Sequence, residues 1–97
     1  MDVNNISEAF QSKVRLAIVA ALFTGSKNFR GLKQDTGATD GNLSVHLSKL
    51  EDLAIIASKK GFHQKKPQTK YTLTEHGKTM FKQYVQMLED IIQREEN

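Results

Sequence analysis

Gly37, Ala38 and Thr39 are nearly all the chain that lies between two helical segments, and so short a join dictates how those helices meet. Apolar spacing predicts a helix from Phe29 to Thr36, capped by Asn28, with Phe29 and Leu32 as its inward contacts. Gly37 supplies its C-terminal stop. Thr39 then caps a further helix that runs from about Asp40 to Leu53. A join of two residues forces the pair to cross sharply.

The second helix of that pair has two unlike faces. Leu43, Leu47, Leu50 and Leu53 fall in one narrow stripe at about 100° per residue, which marks the buried side. Opposite project Gly41, Ser44, Val45, Ser48 and, near the far end, Asp52, while Asn42 and Lys49 flank this outer face. His46 lies close to the leucine edge, where packing or hydrogen bonding suits it better than an outward contact. Plain solvent-facing surface explains the outer face poorly. Glycine costs a helix interior about 1 kcal/mol relative to alanine and somewhat less near the first turn, where Gly41 stands, and Val45 is apolar where solvent favours Lys or Glu. Small residues here let a helix backbone sink close to base edges. Val45 fits a thymine methyl, and Asn42 fits the N6/N7 pair of adenine.

The flanking segments complete the plan. A short turn around Ile6–Phe10 leads to Ser12, the expected N-cap of a helix from Lys13 to Phe23 with Val14, Ala17, Ile18, Ala21 and Leu22 on one side. Residues 55–59 and 69–73 read as two strands joined by a loop containing Pro67. Pro67 restricts Lys66 to extended geometry and is expected to stiffen the loop's tip. Thr74 caps a last helix, in which Met80, Phe81, Tyr84, Val85, Met87, Leu88, Ile91 and Ile92 form a stripe wider than one small core requires. The expected fold class is mainly α with a small β-hairpin. Residues 1–97 are expected to form one domain, with residues 12–73 as its core and residues 74–97 as an additional helix for dimerisation.

Charge is concentrated between the strands. Lys59, Lys60, Lys65, Lys66 and Lys70 fall within residues 59–70, a stretch without any acid. The rest of the chain holds nine Lys+Arg against eleven Asp+Glu, so the net charge of +3 is local. A focused positive patch on a neutral-to-acidic body is the footprint of a polyanion partner. A solvated hairpin tip is the blander reading, and five lysines without one acid weaken it.

The order helix, helix-turn-helix, hairpin, helix is that of a winged helix-turn-helix. Residues 37–51 resemble the recognition segment of bacterial and archaeal regulators of the ArsR/MarR type, with the pattern Gly-Leu-(Ser/Thr)-x-x-x-(Leu/Val)-Ser-x-His-Leu-x-x-Leu. Arg15, Leu16 and Ile18 in the first long helix, and Lys66, Pro67, Thr69 and Tyr71 in the wing, are similar to small stand-alone MarR-like regulators. The resemblance covers about residues 10–90. Ala38, Ala54 and Gln64 depart from it, the last two where relatives often carry glycine.

What the resemblance implies is a transcriptional regulator, expected to be a repressor, that binds double-stranded DNA as a homodimer on a pseudo-palindromic operator. Thr39, Asp40, Gly41, Asn42, Ser44, Val45, His46, Ser48 and Lys49 are the candidate reading residues of the recognition helix. Lys59, Lys60, His63, Gln64, Lys65, Lys66, Gln68 and Lys70 are the candidate contacts of the wing, where phosphate binding gives register but little sequence preference. Dimerisation is expected through the C-terminal helix (Phe81, Tyr84, Val85, Leu88, Ile91, Ile92) with help from Ile6 and Phe10.

Several function classes are disfavoured. With no cysteine and three scattered histidines, neither a thiolate metal sensor nor any other metal site is expected, and no cofactor is called for. Asp35, Asp40, Glu51 and Asp52 are dispersed, and no phosphate loop or nucleophile–His pairing appears, so the chain does not read as an enzyme. No apolar run approaches the roughly 18–20 residues that span a bilayer, and a cytoplasmic location is expected. No residue marks a site for a small-molecule effector. Two rivals stay open, a non-specific nucleoid-type DNA binder and a winged helix used for protein interaction.

Overall fold

The computed structural model describes residues 7–96. A short 3₁₀ turn, Glu8–Phe10, precedes α1 (Lys13–Phe23), β1 (Lys27–Asn28), α2 (Phe29–Thr36) and α3 (Asp40–Asp52). The hairpin β2 (Ile56–His63) and β3 (Lys66–Leu73) follows, and α4 (Glu75–Glu96) closes the chain. Ile6 lies outside the described residues.

Each helix begins where its capping residue stands. Ser12 accepts from the Arg15 N–H at 3.4 Å, Asn28 from Gly31 at 2.8 Å and Thr39 from Asn42 at 3.2 Å, each satisfying an otherwise unpaired first-turn donor. Gly37 ends α2 at φ 71°, a left-handed conformation in which its N–H reaches the Lys33 carbonyl.

The core gathers Ile18, Val19 and Leu22 of α1, Leu32 of α2, Leu43, Leu47 and Leu50 of α3, and Ile55, Ile56 and Leu73 around the hairpin, with Ala9 and Phe10 from the opening turn. Val19 was not expected on the inner side of α1. It is buried because α1 packs against α2, α3, α4 and β3 together, so a single stripe does not describe it. The buried leucines make truncation expensive; Leu32→Ala is of the kind that costs about 2–5 kcal/mol.

Two expectations for the sheet need correction. β1, too short to carry a periodic pattern, pairs Lys27 with Tyr71 and Asn28 with Lys70, giving a three-stranded sheet of order β1-β3-β2. The basic segment is not a long loop, since both strands run almost to the tip and leave a two-residue turn at Gln64 and Lys65. Pro67 therefore sits within β3, opposite Phe62. In a two-residue hairpin that pair is non-hydrogen-bonded, so the missing N–H removes no rung of the ladder. Ala54, Gln64 and Lys65 all have positive φ (58°, 52° and 66°). Ala54 and Gln64 are two of the departures from the regulator pattern, and both adopt the conformation for which glycine is preferred.

α4 is locked to the hairpin at its start and free of the core at its end. The Thr74 hydroxyl lies 2.7 Å from the Ala54 carbonyl and 3.0 Å from that of Ile55, and it accepts from the Gly77 N–H at 2.9 Å. A Cβ at Gly77 would collide with the Ile55 carbonyl oxygen, so helix and strand meet there at a distance only glycine permits. Further along, Met80, Phe81 and Tyr84 pack on the core, with ring centroids 4.7 Å apart for Phe10 and Tyr84 and 5.2 Å for Phe23 and Phe81. Phe10 is only 8% exposed. Phe10, Phe81 and Tyr84, expected at a dimer interface, are thus engaged inside the chain because they cover the end of α1. Val85 and Ile91 are half-buried, whereas Leu88 (39%) and Ile92 (57%) are exposed. The molecule measures 56 × 22 × 22 Å.

Candidate nucleic-acid interface

Burial of Leu43, Leu47 and Leu50 fixes the rotation of α3 and turns Gly41, Asn42, Ser44, Val45 and Ser48 to solvent. Val45 is 65% exposed. Beyond its chain neighbours and the helix's own backbone, no atom lies within 4 Å of where a Gly41 Cβ would be, so packing within the chain does not require that glycine. From Gly41 to Ser48 the face is therefore small and uncharged, with Asp52 at its far end, and packing within the fold does not demand its thinness.

Asp40 and Lys49, the charged residues beside this face, are tied down. The Asp40 carboxylate meets Lys33 Nζ at 2.7 Å, and Lys49 Nζ meets Glu8 at 3.3 Å. Arg15 Nε donates to His46 Nδ1 at 3.0 Å, and Arg15 Nη1 donates to the Glu8 carbonyl at 3.2 Å. Arg15, Glu8, His46 and Lys49 thus strap the opening turn and α1 to one flank of α3. His46 is held as an acceptor within the protein, in line with its edge position. Such exposed ion pairs are worth only about 0–1 kcal/mol, so an incoming phosphate can compete for Lys49.

The wing contrasts with this. Among the described residues, Lys59, Lys60, Lys65, Lys66 and Lys70 form no ion pair. The register sets Lys59 directly opposite Lys70, a like-charge pair that weakens a sheet. It also sets His63 opposite Lys66. Strand alternation divides the ribbon into two faces. Ile56, Ser58, Lys60 and Phe62, with partners Leu73, Tyr71, Thr69 and Pro67, share the face whose inner end is buried. Lys59, Gly61 and His63, with Lys70, Gln68 and Lys66, share the other. That second face borders α2, where His63, Gln68 and Lys70 line a groove with Ser26, Asn28 and Gln34. The turn residues Gln64 and Lys65 are both left-handed, the geometry of a type I′ turn that matches the ribbon's twist. Holding two non-glycine residues there costs on the order of 1–2 kcal/mol each.

Helix and wing meet at the base of the hairpin. The Ile55 N–H donates to the Leu50 carbonyl at 3.0 Å. Burial, and then the neighbouring Glu51 carboxylate, push the Tyr71 phenol up from its ordinary value, so it stays protonated across the physiological range. Two residues escaped the sequence reading. Phe62, in the middle of the basic stretch, is 79% exposed, and only its alternation with Lys60 could have signalled an outward aromatic. Lys13 lines a groove with Thr36, Thr39 and Asn42 at the start of α3, a neighbourhood that depends on the crossing of α1 and is invisible in local sequence.

The winged helix DNA-binding domain family matches residues 14–92. The chain belongs to that family. This winged-helix domain is 36% identical over 77 residues to an uncharacterized protein of Methanocaldococcus jannaschii, covering 78% of this chain and 84% of the relative. Among solved structures, a transcriptional regulator homologue from Pyrococcus horikoshii superposes with TM-score 0.80 at 25% identity, over 90% of this chain and 87% of that one. A protein described as a MarR-family regulator from Enterococcus faecalis superposes with TM-score 0.81 at 23% identity, over 96% and 87% of the two chains. Membership places the winged-helix domain among DNA-binding domains rather than enzymes. No helix among the described residues is long and apolar enough to cross a membrane.

Proposed function

We propose that this winged-helix domain is a sequence-specific transcriptional regulator that binds duplex DNA as a homodimer and represses. The observation that carries the reading is the pairing of an exposed, uncharged α3 face that packing does not demand with a wing of five unpaired lysines. The first suits base edges in a major groove; the second suits phosphates. The names of the structural neighbours from P. horikoshii and E. faecalis support regulation, and the name of a further neighbour, a transcriptional repressor from Xylella fastidiosa, supports repression.

The exposed end of α4 supports the dimer. Leu88 and Ile92, with half-buried Val85 and Ile91, continue the apolar stripe past the point where the domain's own core stops. A two-fold dimer through this stripe presents two α3 helices to successive major grooves. A DNA-bound regulator of this kind works in the cytoplasm or nucleoid. In vitro selection from a random duplex pool tests the reading. The expected product is an inverted repeat with half-sites about one helical turn apart. Enrichment of no motif, with binding intact, would leave a non-specific DNA binder instead.

A further inference from the structure

Among the described residues, Phe62 is the large apolar side chain that this fold leaves most exposed, and it stands in the most positive part of the molecule. Neither base reading by α3 nor phosphate binding by the lysines uses it. It lies one cross-strand pair inside the tip, opposite Pro67 and on the same ribbon face as Lys60. Its neighbour Gly61 has nothing within 4 Å of a built Cβ, so no contact within the chain explains a glycine in mid-strand. Gly61 lies on the ribbon face opposite to Phe62, so the ribbon is thin behind the ring, which suits entry into a narrow groove.

The surroundings select the ligand. A second copy of this patch is excluded as occupant, because it would set five unpaired lysines against five. An acidic protein segment is less suited than DNA, since the wing is a narrow ribbon with charge on both faces and at its tip. Its backbone is stiff as well, with a type I′ turn at Gln64 and Lys65 and a fixed φ at Pro67. An apolar side chain on a rigid cationic support is what minor-groove proteins use to part a base step and kink the duplex.

We propose that Phe62 is a wedge that enters the minor groove of bound DNA and partly unstacks one flexible base step, so that the domain selects deformable sequence at a position α3 does not touch. This rests on the DNA-binding reading above. Pyrimidine–purine steps unstack most easily, so the preferred step under the wing is TA or CA/TG. Lys60 and Lys66 would hold the flanking phosphates while the ring enters.

The test uses the full chain and a selected duplex carrying 2-aminopurine at the step beneath the wing, with donor and acceptor dyes at the ends. Wild type is expected to raise 2-aminopurine fluorescence and shorten the end-to-end distance. Phe62→Ala is expected to lose both signals and to bind roughly tenfold more weakly, in keeping with loss of one base–aromatic contact, with its salt slope unchanged. Phe62→Leu should keep part of the bend. Identical fluorescence and distance for wild type and Phe62→Ala overturns the wedge while leaving DNA binding standing. So does a Phe62-dependent affinity for phosphatidylserine vesicles with DNA binding unchanged. Failure of wild type to bind any duplex at low salt overturns the DNA reading itself, and the wedge with it.

Discussion

The outer face of α3 and the wing are both exposed, yet the fold treats their charges in opposite ways. On the flanks of α3, Asp40 is answered by Lys33 and Lys49 by Glu8, and His46 is held by Arg15. On the wing, five lysines have no ion-pair partner among the described residues, and Lys59 faces Lys70 across the ribbon. The difference separates two tasks. Neutral surface can approach base edges and discriminate, and unpaired cations bind any phosphate without discrimination. A site that did both with the same residues would gain affinity for every sequence along with the right one.

The strongest way to break this division is to remove the wing charge. Lys59→Ala, Lys65→Ala and Lys66→Ala together should weaken binding at moderate salt by about a hundredfold, almost equally for selected and random duplexes. The slope of log K against log salt should fall by about one per lysine on each wing. Fluorescence anisotropy across a salt series measures both quantities. A triple variant whose slope equals that of wild type would show that the wing does not touch phosphates.

Changes on α3 should behave in the opposite way. Asn42→Ala or Val45→Ala should leave the salt slope intact and alter the ranking of sequences. For a bidentate amide contact the lost discrimination is about 1–3 kcal/mol at one base pair. Repeating the selection with each variant would show the affected position. Uniform weakening across all sequences would move these residues into the anchoring class.

How much of this was legible in advance depended on range. Ser12, Asn28 and Thr39 announce helix starts because a cap is a contact across two or three residues, and each makes its bond. The leucine stripe of α3 fixes its buried side for the same local reason. The two-residue strand β1 exists only through its pairing with Tyr71 and Lys70, more than forty positions away, and leaves no periodic trace. Gln64 and Lys65 conceal the turn, because neither residue type advertises the left-handed conformation both adopt. The apolar stripe of α4 was visible, but its division was not. Which part docks at home is decided by Phe10 and Phe23, which meet it from elsewhere in the chain.

Two glycines sharpen the same contrast between interior and reading surface. Gly77 is held by contact, and Gly77→Ala should destabilise the domain by roughly 1–3 kcal/mol through overpacking against Ile55 and Leu73. Gly41 has open space around it. Gly41→Ala should stabilise α3 by up to about 1 kcal/mol, yet weaken specific binding severalfold by lifting the helix from the base edges. Thermal melts and anisotropy on the same samples would reveal this opposition. An alanine at position 41 that improved stability at no loss of binding would remove that part of α3 from the interface.

The smallest expected effect comes from the strap that keeps α3 quiet. Glu8→Gln removes the carboxylate beside Lys49, 3.3 Å away, while the backbone carbonyl that receives Arg15 is retained. An exposed pair of this kind contributes about 0.2–1 kcal/mol, so the melting temperature should fall by roughly 1–6 °C. Binding should tighten a few-fold for all sequences, and the salt slope should steepen by up to one per domain, because Lys49 is released to a phosphate. Specificity measured as a ratio should stay unchanged, since the gain is shared by every duplex. If the slope stays fixed, Lys49 belongs to the fold, and the division between a quiet reading helix and a charged wing is sharper still.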